Sequence, residues 1–322
     1  MLLPNRKLPL RRALTAASHV LAFTVLALPL VARELSAQRR SGPLVLRAPS
    51  SARVLALGNA GAAITDADAV FTAPAMLITA RGASASVQRY GGAATHGSVS
   101  TISTVGGTTI GLGAQVLDWR APALPYGEVL RNGTTTLSDG GEREAGSQLL
   151  ALGLARVFKG QRLGVAVKYA EERIGGESES VVAVDLGYAR AFGPGALSVT
   201  VQNLGMRPQL GDVRVPLPLR YTVGFGGGMM PMGEYLDMGA QVQLSVDGDG
   251  FVRPAGGIEL GYVPIEGVSI VWRQGLRLPR EPDESLITAG VGLTVDRLSV
   301  DYSVEPMRGG RPVSHRVGLR LR

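Results

Sequence analysis

Leu163–Tyr169 reads LGVAVKY and Val182–Tyr188 reads VAVDLGY. In the first stretch Leu163, Val165, Val167 and Tyr169 share one face, while Gly164, Ala166 and Lys168 share the other. In the second, Val182, Val184 and Leu186 oppose Ala183, Asp185 and Gly187. A period of two marks a β-strand, whose successive side chains leave opposite faces. The second face decides the architecture. The outer face of a water-soluble sandwich usually carries many charges and threonines, whereas this one carries Gly, Ala and isolated ions. Small residues suit a crowded interior and scattered ions a wet one, which leaves the greasy face to meet lipid.

Outward from this pair the pattern repeats. Leu197, Val199 and Val201 oppose Ser198, Thr200 and Gln202; Ile258, Leu260 and Tyr262 oppose Gly257, Glu259 and Gly261. Ile287, Ala289, Val291 and Leu293 oppose Thr288, Gly290 and Gly292, and Leu298, Val300 and Tyr302 oppose Ser299, Asp301 and Ser303. Between residue 82 and the C-terminus the chain divides into about fourteen such segments, the scale of an outer-membrane barrel. The uncharged window Gly91–Leu117, rich in Gly, Ser and Thr, reads as two strands and not as a spanning helix.

Connection lengths alternate. Tight gaps fall at Val105-Gly106, Phe158–Gln161, Gly193–Gly195, Met229–Glu234, Val263–Glu266 and Val295-Asp296. The interleaved gaps run longer, above all Asp118–Ser147, Leu204–Leu217, Gln274–Ser285 and Glu305–Pro312, with a short one near Gly91–Ala94. Short turns at one end and long loops at the other predict an all-β, antiparallel, up-and-down transmembrane barrel. Lys168, Asp185, Arg220, Glu259 and Asp301 all fall on the lumen parity. On the lipid face a charge costs roughly 2–4 kcal/mol at the midplane, so their shared placement carries weight. Tyr169, Tyr188, Phe192, Tyr262 and Tyr302 lie late in their strands, where interfacial girdles stand. The last strand ends in Arg322 instead of an aromatic residue.

Residues 1–37 read as a secretory signal: Arg6, Lys7, Arg11 and Arg12 precede the apolar run Ala13–Val31, and Ser36-Ala37 supplies small residues for cleavage. That leader removes five basic residues against one acid, Glu34, so most of the +7 net charge is a targeting feature. It gives no argument for nucleic acid, and no Lys/Arg cluster with interleaved aromatics appears. Cysteine is absent, which excludes disulfides and thiolate chemistry. The expected organisation is a leader at 1–37, a plug or hatch segment at 38–81 and the barrel at 82–322. The expected location is the bacterial outer membrane, with its lipid as the surrounding partner.

Ser51–Leu77, SARVLALGNAGAAITDADAVFTAPAML, differs in character from the strands. Asp66 stands where its carboxylate would cap a short helix through Ala69 and Phe71, and Pro74 would stop that helix or start a second turn. Some thirty residues of small apolar character ahead of a barrel suit a plug folded inside it. This run resembles the N-terminal signature of the PorV/PorQ family, whose members resemble FadL-type fatty-acid transporters. Lys168-Tyr169 with Gly175-Gly176, Val201–Gly205 and Pro216–Arg220 extend the likeness over most of the mature chain. Thr72-Ala73-Pro74-Ala75 replaces the family's Trp-Asn-Pro-Ala, and Asp66-Ala67-Asp68 replaces its adjacent acidic pair.

The resemblance implies a fourteen-stranded barrel. It further implies either passage of a hydrophobic or amphipathic solute or docking of secreted proteins, as in type IX secretion. The plug candidates are Arg53, Gly58, Gly61, Asp66, Asp68 and Pro74; Trp119 and Tyr126 in the longest loop are the recognition candidates. No catalytic residue, cofactor or metal is expected. Ser314 and His315 are adjacent in a strand and point to opposite faces, so they make no nucleophile–base pair. Asp247–Gly250 lacks the remaining ligands of a calcium loop and reads as a hairpin turn. A soluble periplasmic β-protein is the competing class, and it requires a second sheet over the apolar faces.

Overall fold

The computed structural model describes residues 42–91, 94–122, 128–129, 135–136, 142–174, 177–206, 209–210, 213–214, 216–282 and 284–322. The proposed leader and Tyr126 lie outside them. Fourteen long antiparallel strands close on themselves. They are β1 (Ala83–Tyr90), β2 (Ala94–Val105), β3 (Thr108–Pro122), β4 (Glu142–Phe158) and β5 (Gln161–Ile174). Next come β6 (Glu177–Phe192), β7 (Gly195–Gly205), β8 (Arg220–Gly226), β9 (Leu236–Asp247) and β10 (Val252–Ile265). The ring finishes with β11 (Val268–Arg277), β12 (Ile287–Val295), β13 (Leu298–Glu305) and β14 (Ser314–Leu321). Each strand pairs with its chain neighbours, and β1 seals against β14 from Ala83↔Leu321 to Tyr90↔Ser314. Closure leaves no unpaired edge, which a lipid environment demands.

The alternation is written into exposure. Val99, Leu112, Leu152, Val167, Leu186, Leu260, Val291 and Leu319 are exposed around the outside, while their strand neighbours are buried or half-buried. Soluble monomers rarely expose so much contiguous apolar surface. Among the described residues no helix is long and apolar enough to cross a membrane.

Turns at one end are tight. Gly106 and Gly107 both take positive φ, 58° and 78°, the conformation a two-residue hairpin needs. Lys159-Gly160, Gly193-Pro194, Glu266-Gly267 and Asp296-Arg297 close the neighbouring hairpins at that end. The Met229–Glu234 gap departs from the tight turn expected there. β8 ends at Gly226, and Met230–Pro231 folds back to pair with Met238 and Asp237, so the connection spans 227–235. At the other end the 248–251 link is short, whereas 206–219 and 278–286 are long. The Asp118–Ser147 gap is also narrower than read from sequence. Arg120 to Pro122 pair with Glu144 to Glu142, which extends both strands into it.

Residues 42–82 run inside the ring. Ser51 caps a short helix α1 (Ala52–Ala56) by accepting from the Val54 N–H at 3.2 Å. A one-turn helix α2 (Ala69–Thr72) follows, and Pro74 opens the 3-10 turn Pro74–Thr79. Asp66 does not cap α2. The helix starts only after Asp68, and the Asp66 carboxylate turns to two arginines, a stronger partnership for a buried charge than an amide N–H.

Candidate functional site

The interior face of the strands is small because the N-terminal segment lies against it. A Cβ on Gly164 would stand 2.3 Å from the Ala75 nitrogen, and one on Gly275 would stand 2.1 Å from the Gly58 nitrogen. On Gly113 it would meet the Phe71 ring at 2.4 Å. Glycine at these positions lets backbone approach wall directly, with no room for a side chain.

One side of the segment is held by ions. Arg53 on α1 binds Glu259 of β10 at 2.5 Å and Asp66 at 2.8 Å. Asp66 takes Arg320 of β14 at 3.0 Å, and Arg320 binds Asp301 of β13 at 2.6 Å. Arg273 of β11 closes the circuit, 2.7 Å from both Asp301 and Glu259. Three guanidinium groups and three carboxylates thus alternate in a buried, charge-balanced ring. Burial alone would raise Asp66, but Arg320 and Arg53 hold it well below the usual carboxylate range.

Within the ring the charges divide evenly. Arg53 and Asp66, from the segment, satisfy each other. Glu259, Arg273, Asp301 and Arg320, from the wall, form a continuous neutral chain without them. Parting segment from wall therefore breaks the Arg53–Glu259 and Asp66–Arg320 bridges and leaves neither half of the ring with an unbalanced ion.

Other anchors use neutral partners. Arg316 donates to the Pro49 carbonyl at 2.7 Å, the Ser50 carbonyl at 3.0 Å, Ser98 Oγ at 2.8 Å and His96 Nδ1 at 3.1 Å. Lys168 pairs with Asp185 at 2.6 Å and donates to the Phe71 carbonyl at 2.8 Å. Asp68 accepts from Ser84 Oγ and Ser100 Oγ, each at 2.9 Å. Burial, and then the Asp66 carboxylate, push Asp68 up to about 6 against those hydroxyls and Arg316.

The opposite side of the segment is mostly apolar, apart from the Lys168–Asp185 pair on β5 and β6. Phe71, Val70, Met76 and Leu77 pack with Leu117 and Leu149 of the wall, and partly buried Trp119 and Ile102 join the same cluster. Trp119 and Leu117 lie towards the long-loop end of β3, Ile102 towards the tight-turn end of β2. An oily seam thus runs along the interior on the β2–β6 side, facing away from the ionic ring.

The positions singled out from sequence fall as follows. Lys168, Asp185, Glu259 and Asp301 are buried inside; Arg220 is partly buried near the long-loop end, bound to Asp247 at 2.7 Å. Arg53, Asp66 and Asp68 meet the wall directly. Gly58 passes against β11, Gly61 packs within the segment against Thr72 and Val54, and Pro74 lies against Gly164 and Gly187. Trp119 belongs to β3 and not to a loop, and it packs inward. Arg273, Arg316 and Arg320 were missed, although their parity with outward Trp272, Val317 and Leu319 carries the signal. His96 is buried inside while His315 is outside, stacked on Tyr302 with its Nδ1 2.6 Å from the hydroxyl. The two histidines share no site, and Ser314 points inward, away from the His315 ring.

No protein-family model and no curated protein matches this chain. Solved structures do. The toluene transporter TodX of Pseudomonas putida superposes with a TM-score of 0.56 at 11% identity, over 84% of this chain and 96% of that one. The toluene transporter TbuX of Ralstonia pickettii gives 0.52 at 13% identity, over 84% and 98%. The monoaromatic hydrocarbon channel CymD gives 0.54 at 9% identity, over 87% and 97%. Fold and site together define a closed transmembrane-type barrel with an occupied interior. At such identities the likeness to these hydrocarbon channels is one of fold.

Proposed function

We propose that this chain is an outer-membrane channel for a hydrophobic or amphipathic small molecule, with residues 42–82 as its plug. One observation supports this above the rest: the segment faces the wall through an oily seam on one side and a charge-balanced ring on the other. The ionic ring can part without leaving either of its halves charged, and the surface the segment would open suits an apolar solute. The fold likeness to channels for toluene and other monoaromatics points the same way. The exposed apolar belt speaks against the soluble class. Docking of secreted proteins, and PorV/PorQ membership with it, rests on the sequence motifs alone, and the seam favours the channel.

The test is uptake of a labelled monoaromatic hydrocarbon by intact cells whose outer leaflet is lipopolysaccharide, because an ordinary phospholipid bilayer passes such molecules unaided. Cells carrying the chain should take it up faster than matched cells lacking it. Equal rates, with the folded barrel present in the outer membrane, would refute the proposal.

A further inference from the structure

Charge at the tight-turn end of the barrel is one-sided. Residues 102–112, 155–163 and 187–196, which make the β2–β3, β4–β5 and β6–β7 turns with their flanking strand ends, contain no Asp or Glu. Arg156, Lys159 and Arg190 are exposed there, and among the described residues none of the three forms an ion pair. The acids of that end, Glu234, Asp237, Glu266 and Asp296, lie on the β8–β13 side of the ring. Aromatic rings share the basic patch. Lys159 Nζ stands 5.5 Å from the centre of the exposed Phe158 ring, and exposed Phe192 meets Phe225 edge to face with centroids 6.2 Å apart. Half of the chain's six phenylalanines thus gather on this face. Register sets Phe158 opposite Gln161, and the next residue, Arg162, opposite Ala189, beside Arg190. Arg156 continues the outward row of Leu152 and Leu154 on β4, and Arg190 that of Leu186 and Tyr188 on β6.

We infer that the outer face of β4–β6 at this end binds an anionic phospholipid, its phosphate among Arg156, Lys159 and Arg190 and its acyl chains along the leucines of the same rows. Parity selects the partner. An arginine issuing from the same face as Leu154 lays its stem along lipid and lifts its guanidinium to the head groups, whereas a soluble protein would be met by the turn tips. Phenylalanines at the edge of an apolar face suit the same boundary, and a phosphodiester gives unpaired cations charge-assisted bonds. Short turns mark this end as periplasmic, so the lipid belongs to the inner leaflet. The site rests on the barrel spanning the outer membrane and is independent of the solute it passes.

The chain has no cysteine, so Gln161→Cys places one fluorophore beside the patch and Leu298→Cys a control at the same end of β13, across the ring. With the full chain in phosphatidylcholine nanodiscs, lipid brominated high on its acyl chains quenches a label in proportion to its occupancy there. Brominated phosphatidylglycerol should compete about fivefold better than brominated phosphatidylcholine at position 161, the scale of one basic side chain at an anionic surface. At position 298 the two lipids should quench equally. Arg156→Gln with Arg190→Gln should bring them level at 161, and raised salt should do so in part. Both arginines are exposed and unpaired, so the fold does not depend on them. Equal quenching by the two lipids at 161 would overturn the site and leave the patch to an acidic soluble partner. The same preference at both positions would overturn it as an effect of net charge, and a preference unmoved by the double variant would overturn the assignment to these arginines. Quenching of neither label by either lipid would sink the membrane reading as well, whereas failed hydrocarbon uptake with the preference intact touches only the channel.

Discussion

Removing one ion from a balanced buried ring leaves its partners uncompensated, and that sets the first expectation. Arg53→Met strips Glu259 and Asp66 of a shared cation at once and should cost about 3–5 kcal/mol in urea unfolding from lipid vesicles. Adding Asp66→Asn removes the matching charge and leaves the neutral wall chain, so the double variant should lose clearly less than the sum of the singles. Additive losses would contradict the ring as a coupled unit. Asp68 behaves differently because no guanidinium touches it. Its carboxyl rises from an ordinary 3.8 to about 6 in the folded state, so that state holds a proton the unfolded chain has released. The contribution of Asp68 to stability is then largest below about pH 4, falls between pH 4 and 6 by about 2–3 kcal/mol, and stays low above. Asp68→Asn should abolish that fall in a pH series of unfolding midpoints. Much of this was legible as parity. Lys168, Asp185, Glu259 and Asp301 declare their inward faces through their neighbours. The partner of Asp66 does not, because Arg320 lies 254 residues away and only ring closure brings it near.

At the scale of elements, the strands were readable, and the segment at 42–82 was readable as a plug with a short helix but not in its contacts with the wall. Period-two patterns survive translation into structure because the bilayer and the interior enforce opposite preferences on alternate residues. The segment has no such solvent boundary. It is buried on every side, so its small residues reveal density without direction, and Ser51 rather than Asp66 provides the side-chain helix cap. Its fit to the wall is nevertheless testable at single glycines. Gly164→Val places atoms where the Pro74 and Ala75 backbone already stands, so the segment must lift and become open to protease, at a cost of about 1–3 kcal/mol or more. Unchanged protease protection would contradict the close contact. Deleting residues 42–82 would leave a lumen walled by Ser, Thr, Gln and paired ions beside the apolar strip of Ile102, Leu117 and Leu149, and single-channel recordings should then show a wide, water-filled pore. A silent barrel would mean the interior closes by other means.

For the whole molecule, the outer belt, the sealed ring of strands and the divided interior require one another. Lipid outside calls for an apolar face and a complete hydrogen-bond ladder; the occupied interior calls for glycine and paired ions; and the path proposed for an oily solute uses the greasy side of that interior. Sequence alone made the first requirement visible and left the last hidden, because Phe71, Leu77, Leu117 and Ile102 come from distant parts of the chain and meet only in the fold. The central claim is that the segment must part from the β2–β6 wall for solute to pass. Ala75 Cβ lies 3.2 Å from where a Cβ on Gly187 would stand, so a shift of the segment by a few tenths of an ångström brings the pair to the roughly 3.5–4.5 Å that a disulfide spans. In a chain without other cysteines, Ala75→Cys with Gly187→Cys therefore staples the segment to β6. Hydrocarbon uptake by intact cells should stop when this pair is oxidised and return on reduction; the same uptake in both states would contradict the account.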